Sequence, residues 1–153
     1  MVNRPRICLA IDDQSDHVIV VRAERVRGRC GYTLLNPDDE TVRHHLDHGV
    51  PCVAVLSARQ SFVRWVEAPF GSLRKARRVF PTILDLQLPF PLDECAYEMV
   101  TVRRGSNGQA RALAVGGRNE AIRSVLDSLA ARGIDPVALD AMGLAIWSQA
   151  QAE

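Results

Sequence analysis

The sequence contains no apolar run that approaches the ~20 residues with which a helix crosses a membrane. Its first residues, MVNRPRICLAI, also lack the long apolar core of a secretory signal peptide. An excess of charge of one sign is missing as well, because 19 Lys and Arg balance 18 Asp and Glu and leave a net charge of +1. With aromatic residues at only 5%, neither nucleic acid nor an acidic membrane surface is favoured as a partner. These absences predict a cytoplasmic globular chain.

Paired cysteine motifs are also missing. The four cysteines, Cys8, Cys30, Cys52 and Cys95, are far apart, and no CxxC occurs. Three of them lie in apolar stretches that are typical of strands. In a cytoplasmic chain this favours buried free thiols over a zinc site or a disulfide.

The first third of the sequence predicts a mixed sheet with one helix. The chain has 153 residues, of which 47% are hydrophobic, enough for one domain or for one domain with an inserted subdomain. Residues 6–11, 17–26 and 30–35 are short apolar runs joined by polar turns, which predicts an antiparallel meander. Residues 37–49 have acids at the start, histidines near the end and a final glycine, as a helix does. Residues 51–56 predict a buried strand.

The remaining sequence predicts a strand, a helix, a rigid linker, a hairpin, a helix, a short strand and a closing helix. The strand covers residues 61–69, the helix 72–88 and the linker 88–94. The hairpin is formed by residues 96–104 and 110–117. The second helix covers residues 119–133, the short strand 135–140 and the closing helix 141–151. Pro81 lies inside the first of these helices and predicts a kink or a split near Phe80.

Several stretches resemble, in order and spacing, the first lobe of an actin-like ATPase. LAIDDQSDHVIVV resembles the glycine-containing hairpin of PilM-like proteins, VRWVEAP a strand ending in proline, and LDLQLPFPLDECAYE the LPFP pattern of the same proteins. ALAVGGRNEAIRSVLDSLAARGIDPVALDAMGLAIW resembles the return to the main subdomain. The resemblance is to PilM of type IV pilus assembly and GspL of type II secretion, with FtsA as a more distant relative.

The resemblance implies an α/β fold with a mixed sheet, the actin-like (RNase H-like) first lobe. An inserted strand-helix-strand-strand subdomain would interrupt it. The expected main subdomain comprises residues 1–58 and 118–153, and the expected insert comprises residues 59–117.

The phosphate-binding hairpin of this fold is degenerate in the sequence. Asp12 matches the family aspartate and Ser15 the hydroxyl position, but Gln14 stands where a glycine lets backbone N–H groups approach a phosphate. Asp13 and Asp16 add negative charge beside a bound phosphate. The expectation is a chain that is not an enzyme, with no catalytic residue, no metal and no cofactor. Binding of ATP with Mg²⁺ would require a longer native protein.

The resemblance further implies a non-catalytic scaffold at the bacterial inner membrane. Such a domain of a type IV pilus or type II secretion platform would recruit either the tail of a PilN-like membrane protein or the secretion ATPase. A homodimer is also compatible with the sequence. The alternative is the nucleotide-binding lobe of a PilM/FtsA-like ATPase whose second lobe is missing here. The sequence ends in or just after a helix without a clear stop, so a longer native protein is expected.

The candidate for a partner surface is a basic cluster on the predicted helix of the insert, formed by Arg74, Lys75, Arg77 and Arg78. It reads as a solvated face, or as a contact for an acidic partner or phospholipid headgroups. Trp65, Phe70 and Phe80 flank this helix, and either form a hydrophobic groove for a peptide or pack into the insert's own core. The candidate partner-binding residues are Trp65, Phe70, Arg74, Arg77 and Arg78.

Three weaker patterns have ordinary structural explanations. Asp12, Asp13 and Asp140 would serve a metal-dependent nuclease if they converged, and otherwise are turn and cap acids. His44 and His48 are spaced to share a metal, but HHLDH lacks the glutamate of HExxH. The two glycines of GGRN precede a predicted helix and suit either an anion or a tight turn.

Overall fold

The computed structural model describes residues 7–14, 17–26, 29–105 and 108–146, without the side chain of Gln14. The chain divides into two compact units. The first unit comprises Met1–Ser57 and Arg123–Asp140, and the second unit comprises Ala58–Ile122 and Ala141–Glu153. Among the described residues, no helix is long and apolar enough to cross a membrane.

The first unit is built on a five-stranded mixed sheet of order β3-β2-β1-β4-β8. Its elements are β1 (Ile7–Gln14), β2 (His17–Val26), β3 (Arg29–Leu35), α1 (Glu40–Asp47), β4 (Cys52–Leu56), residues 123–131 of α3 (Asn119–Ala131) and residues 138–140 of β8 (Ala138–Ala141). Strand β1 pairs antiparallel with β2 and parallel with β4, and β2 pairs antiparallel with β3. The predicted mixed α/β sheet is therefore confirmed.

One face of this sheet forms the core of the first unit. Alternation along β1 buries Leu9 and Ile11, and β2 adds Val20 to the same face. Val42 of α1 and Leu129 of α3 are buried with them, so both helices contribute to one apolar layer. Alternating burial of this kind is what a sheet covered on one face produces.

Helix α1 begins and ends at the signals that its sequence predicts. Asp39 is the N-cap, and its Oδ1 accepts a hydrogen bond of 2.9 Å from the backbone N–H of Thr41. That hydrogen bond lowers the pKa of the Asp39 carboxyl. Beyond the C-terminal end, Gly49 has φ +70, a left-handed conformation that glycine adopts without steric cost.

The second unit is a three-stranded antiparallel sheet of order β5-β7-β6 with one helix packed on it. Its elements are β5 (Ser61–Ala68), α2 (Leu73–Asp85), a 3-10 turn (Leu92–Glu94), β6 (Cys95–Arg104) and β7 (Ala110–Arg118). Phe80 and Leu84 of α2 are fully buried against Phe62 and Val66 of β5.

Residues 118–122 and 141–146 belong to the compact second unit, and the predicted boundaries, 1–58 with 118–153 and 59–117, stay a prediction. Residues 142–146 are helical, and a Cβ built at Gly143 would lie 3.6 Å from Cγ2 of Val63 in β5. Gly143 thus lies close to β5 of the same unit. The remaining residues of the predicted closing helix lie outside the described part of the chain.

Pro81 does not split α2, so that part of the prediction was wrong. The helix is assigned without interruption from Leu73 to Asp85. Proline removes one hydrogen bond, the one that would reach the carbonyl of Arg77, and Arg77 lies on the exposed side where water can satisfy that carbonyl. Burial of Phe80 and Leu84 on either side of the proline holds the helix on the sheet.

The cysteines are less buried than the sequence suggests. Only Cys52 is buried, Cys8 and Cys95 are half-buried, and Cys30 is exposed because β3 is the edge strand of its sheet. Burial, and to a smaller extent the neighbouring Cys8 thiol, raises the pKa of Cys52 to about 11, and burial also raises the pKa values of Cys8 and Cys95.

Cys30 is expected to react with iodoacetamide at pH 8 at least about tenfold faster than Cys52. The thiolate is the reactive form, and Cys52 is both covered and protonated. Peptide mapping by mass spectrometry after timed alkylation of the folded chain measures the two rates. Equal rates in the folded chain would contradict the burial of β4, and unfolding in guanidinium provides the control in which the rates converge.

Candidate functional site

Within the described residues, the first half of the predicted phosphate hairpin is the end of β1. The strand was expected to end at Ile11, but it runs to Gln14, whose backbone pairs with His17. Asp12 and Asp13 are therefore strand residues that pair with Ile19 and Val18 of β2. The alternation of a strand sends these two side chains to opposite faces of the sheet.

The side chain of Asp13 contacts helix α3. Its Oδ2 accepts a hydrogen bond of 2.5 Å from the hydroxyl of Ser128 in α3. Nη2 of Arg132, just beyond α3, lies 4.0 Å from Oδ1, and the Asp13 side chain is only 7% exposed. The carboxylate thus joins β1 to α3 and has a structural role.

Of the candidate nucleotide-binding residues Asp12, Gln14 and Ser15, the structure describes the side chain of Asp12 alone. Asp12 lies half-buried on the opposite face, while Ser15 and the side chain of Gln14 lie outside the described residues. Asp140 lies in β8, which is separated from β1 by β4. No cluster of three or more metal-binding side chains occurs in the described ranges, so the three acids proposed for a nuclease do not converge there.

The basic cluster forms one exposed surface of α2. Arg74, Lys75, Arg77 and Arg78 are all exposed, and we call these four residues the basic face of α2. No ion pair to any of them occurs within the described part of the chain. The first turn of α2 has no acid, although positive charge there opposes the helix dipole. The basic face is therefore not explained by the stability of the helix.

The structure separates the three aromatic candidates. Phe80 is fully buried in the core of the second unit, and Phe70 packs partly buried against the same core. Trp65 lies on the opposite face of the sheet, since it alternates with the buried residues Phe62 and Val66 along β5. Phe70 and Phe80 thus take the packing role, and Trp65 does not share a surface with the basic face of α2.

Trp65 instead contacts two arginines that the sequence did not reveal as its neighbours. The guanidinium carbons of Arg103 and Arg111 are 5.3 and 4.9 Å from the Trp65 ring centroid. Nε of Arg111 is also 2.7 Å from Oε1 of Glu67, an ion pair whose geometry is not that of an aligned hydrogen bond. Arg103 pairs with Arg111 across β6 and β7, so only the strand register reveals this group.

The histidine and glycine patterns have structural explanations. The rings of His44 and His48 are 4.0 Å apart, and Nδ1 of His48 donates to the carbonyl of His44 at 2.8 Å. Gly116 and Gly117 lie within β7, and α3 begins at Asn119, so the predicted glycine turn before this helix is a strand. This arrangement lacks the loop that an anion site requires.

The order of the elements agrees with the actin-like first lobe and the inserted small sheet that the sequence resemblance implies. A meander, a helix and a parallel strand precede the insert, and a helix and a strand follow it. No protein-family model matches the chain, and no curated protein matches it by sequence. Solved structures do match.

The cytoplasmic domain of EpsL, an inner membrane component of the type II secretion system of Vibrio cholerae, aligns with a TM-score of 0.60 and 18% identity over 88% of this chain and 57% of that one. A PilM–PilN type IV pilus biogenesis complex aligns with a TM-score of 0.57 and 17% identity over 90% of this chain and 48% of that one. A Bacteroides thetaiotaomicron protein with an actin-like ATPase fold and unknown function aligns with a TM-score of 0.37 and 8% identity over 92% and 55%.

The first two structures show that the chain shares its fold with the EpsL cytoplasmic domain and the PilM–PilN complex, the kinds of protein that the sequence resembles. The chain spans about half the length of the structures that it matches.

Proposed function

We propose that this domain is a non-catalytic scaffold at the cytoplasmic side of a bacterial inner membrane, in a platform that assembles a type IV pilus or a type II secretion system. The observation that carries the proposal is the fold, which is shared over 88% and 90% of the chain with EpsL and PilM. One neighbour is an inner membrane component of a secretion system, and the other is part of a pilus biogenesis complex.

The state of the hairpin supports a role without ATP hydrolysis. Asp13 is engaged by Ser128 and Arg132, and Asp12 faces the other side of the sheet. A phosphate-binding hairpin requires a close backbone approach, which Gln14 in place of glycine disfavours. We therefore propose that no nucleotide is needed for partner binding.

The partner surface that we propose includes the basic face of α2. Its four cations are exposed, and none has an ion-pair partner among the described residues, so their charge is available to an acidic protein surface. The partner is either the short cytoplasmic tail of a PilN-like membrane protein or the secretion ATPase. Trp65 with Arg103 and Arg111 forms a second basic and aromatic surface on the other side of the same sheet.

Changing Arg74, Arg77 and Arg78 together to Glu is expected to weaken partner capture by about tenfold or more. Glutamate in the first turn suits the helix dipole, so α2 should not lose stability. The measurement is a pull-down from a membrane extract of the native bacterium, with the bound proteins identified by mass.

The matched control changes Arg59, Arg64 and Arg104 to Glu, which makes the same charge change at exposed positions of the same unit. Capture of a membrane protein with a short cytoplasmic tail supports the pilus-type role, and capture of a hexameric ATPase supports the secretion-type role. Equal capture by both variants would remove the basic face from the proposal. Capture that requires Mg²⁺ and ATP would favour the alternative, a nucleotide-binding lobe.

A further inference from the structure

The first unit contains an open cleft that includes Val18 and Val20 of the hairpin strand β2 and no residue of the basic face of α2. Its volume is about 760 Å³, within the range of sites that bind ligands or peptide side chains. Strand β2, helix α1 with the residues just before it, and the C-terminal end of α3 form its walls. All of these elements belong to the first unit, so the cleft is complete within it.

The floor of the cleft is apolar. Val18 and Val20 of β2 form one part, and Leu46 of α1 and Ile134 after α3 form the opposite part. Val20 is 1% and Ile134 7% exposed, whereas Val18 and Leu46 are half-buried and reachable from solvent. A floor of this kind accepts a large aliphatic or aromatic side chain because burial of apolar area is favourable.

The rim of the cleft is acidic. Asp38, Glu40 and Asp47 are exposed and line it, and none of them has an ion-pair partner among the described residues. Asp39 lies there too, but its carboxylate caps α1. The cations of the rim are Arg43 and Arg132, and Arg132 already faces Asp13 at 4.0 Å.

Asp47 is the most informative of these acids. It is the last residue of α1, where the negative end of the helix dipole makes a carboxylate unfavourable. Glu40, by contrast, lies in the first turn and suits the dipole. The stability of α1 therefore explains the presence of Glu40 and does not explain the presence of Asp47.

We propose that this cleft docks an amphipathic segment of a partner protein that carries Lys or Arg beside large apolar residues. The apolar side chains would occupy the floor, and the cations would lie beside Asp38, Glu40 and Asp47. The acidic rim disfavours anionic ligands such as nucleotides. Segments of this composition flank membrane helices on their cytoplasmic side. The inference that the partner is a membrane protein rests on the proposed function. The preference of the cleft for basic and apolar side chains rests on its lining residues alone.

The test is a fluorescence anisotropy titration of the whole chain with labelled synthetic peptides. A helical peptide of leucine and lysine is expected to bind at least about tenfold more tightly than the same peptide with glutamate for lysine. A peptide with serine for leucine, equal in charge, should also lose about tenfold. Glu40→Lys with Asp47→Lys should weaken binding of the leucine–lysine peptide by about tenfold, and added salt should weaken it further.

The matched control is Asp127→Lys with Asp135→Lys, two exposed acids of the same unit that do not line the cleft. It should leave the affinity within about twofold. If both double variants bind equally, or the serine peptide binds as well as the leucine peptide, the cleft is not the site. The pull-down with the α2 variants reports on a different surface, so either proposal can fail without the other.

Discussion

Phe80→Ala is expected to lower the free energy of unfolding by about 3–5 kcal/mol, because it removes a large aromatic ring from a fully buried position. The ring packs between α2 and the sheet of the second unit, where alanines of β7 leave space that only a large side chain fills. A loss of this size is a large part of the stability of an ordinary domain. Urea unfolding, followed by Trp65 fluorescence in a Trp147→Phe background, measures it.

Leu86→Ala is the control for that experiment. Leu86 is the C-cap of the same helix, but it is 83% exposed. Its truncation should change the free energy of unfolding by no more than about 0.5 kcal/mol. If the two variants unfold at similar urea concentrations, the placement of α2 on the sheet is wrong.

Gly116→Val is expected to cost about 3 kcal/mol or more, or to prevent the second unit from folding. Gly116 lies in the central strand β7, between Phe62 of β5 and Tyr97 of β6. A Cβ there would lie 2.7 Å from Cβ of Tyr97 and 2.8 Å from Cζ of Phe62, and it would also overlap the carbonyl oxygen of Ala96. Since that oxygen is part of the backbone, no rotamer change relieves the contact.

Gly31→Val is the matched control, because Gly31 is also a strand glycine. It lies in the edge strand β3, and nothing is within 4 Å of a Cβ built there. Valine favours strands, so this variant should be neutral or slightly more stable. Thermal unfolding of both variants by circular dichroism gives the comparison, and equal losses would contradict the strand order of the second sheet.

Local periodicity was sufficient to predict most elements of the fold. The apolar face of α3, with Val125 and Leu129 buried, and the alternation along β5 are visible in short windows of sequence. The caps of α1 are equally local. The end of β1 was predicted too early, because Asp13 is stabilised by Ser128, a residue 115 positions away.

The candidate partner surface was predictable only in part. The spacing of Arg74, Arg77 and Arg78 around the buried Ala76 and Phe80 places the three arginines on the solvent side of α2. The face of Trp65 was not predictable, because β5 carries apolar residues on both faces. Its contact with Arg103 and Arg111 depends on the register of β6 against β7, which contains a bulge between Met99 and Thr101.

The small net charge of the chain is the sum of two units with opposite net charges. The first unit has nine Lys and Arg against eleven Asp and Glu, and the second has ten against seven. A total of +1 therefore conceals a negative unit and a positive unit. Contacts between the negative unit of one molecule and the positive unit of another are therefore expected to be attractive at low ionic strength and to weaken as salt is added. The isoelectric point, about 7.7, reflects the sum of the two units and neither unit alone.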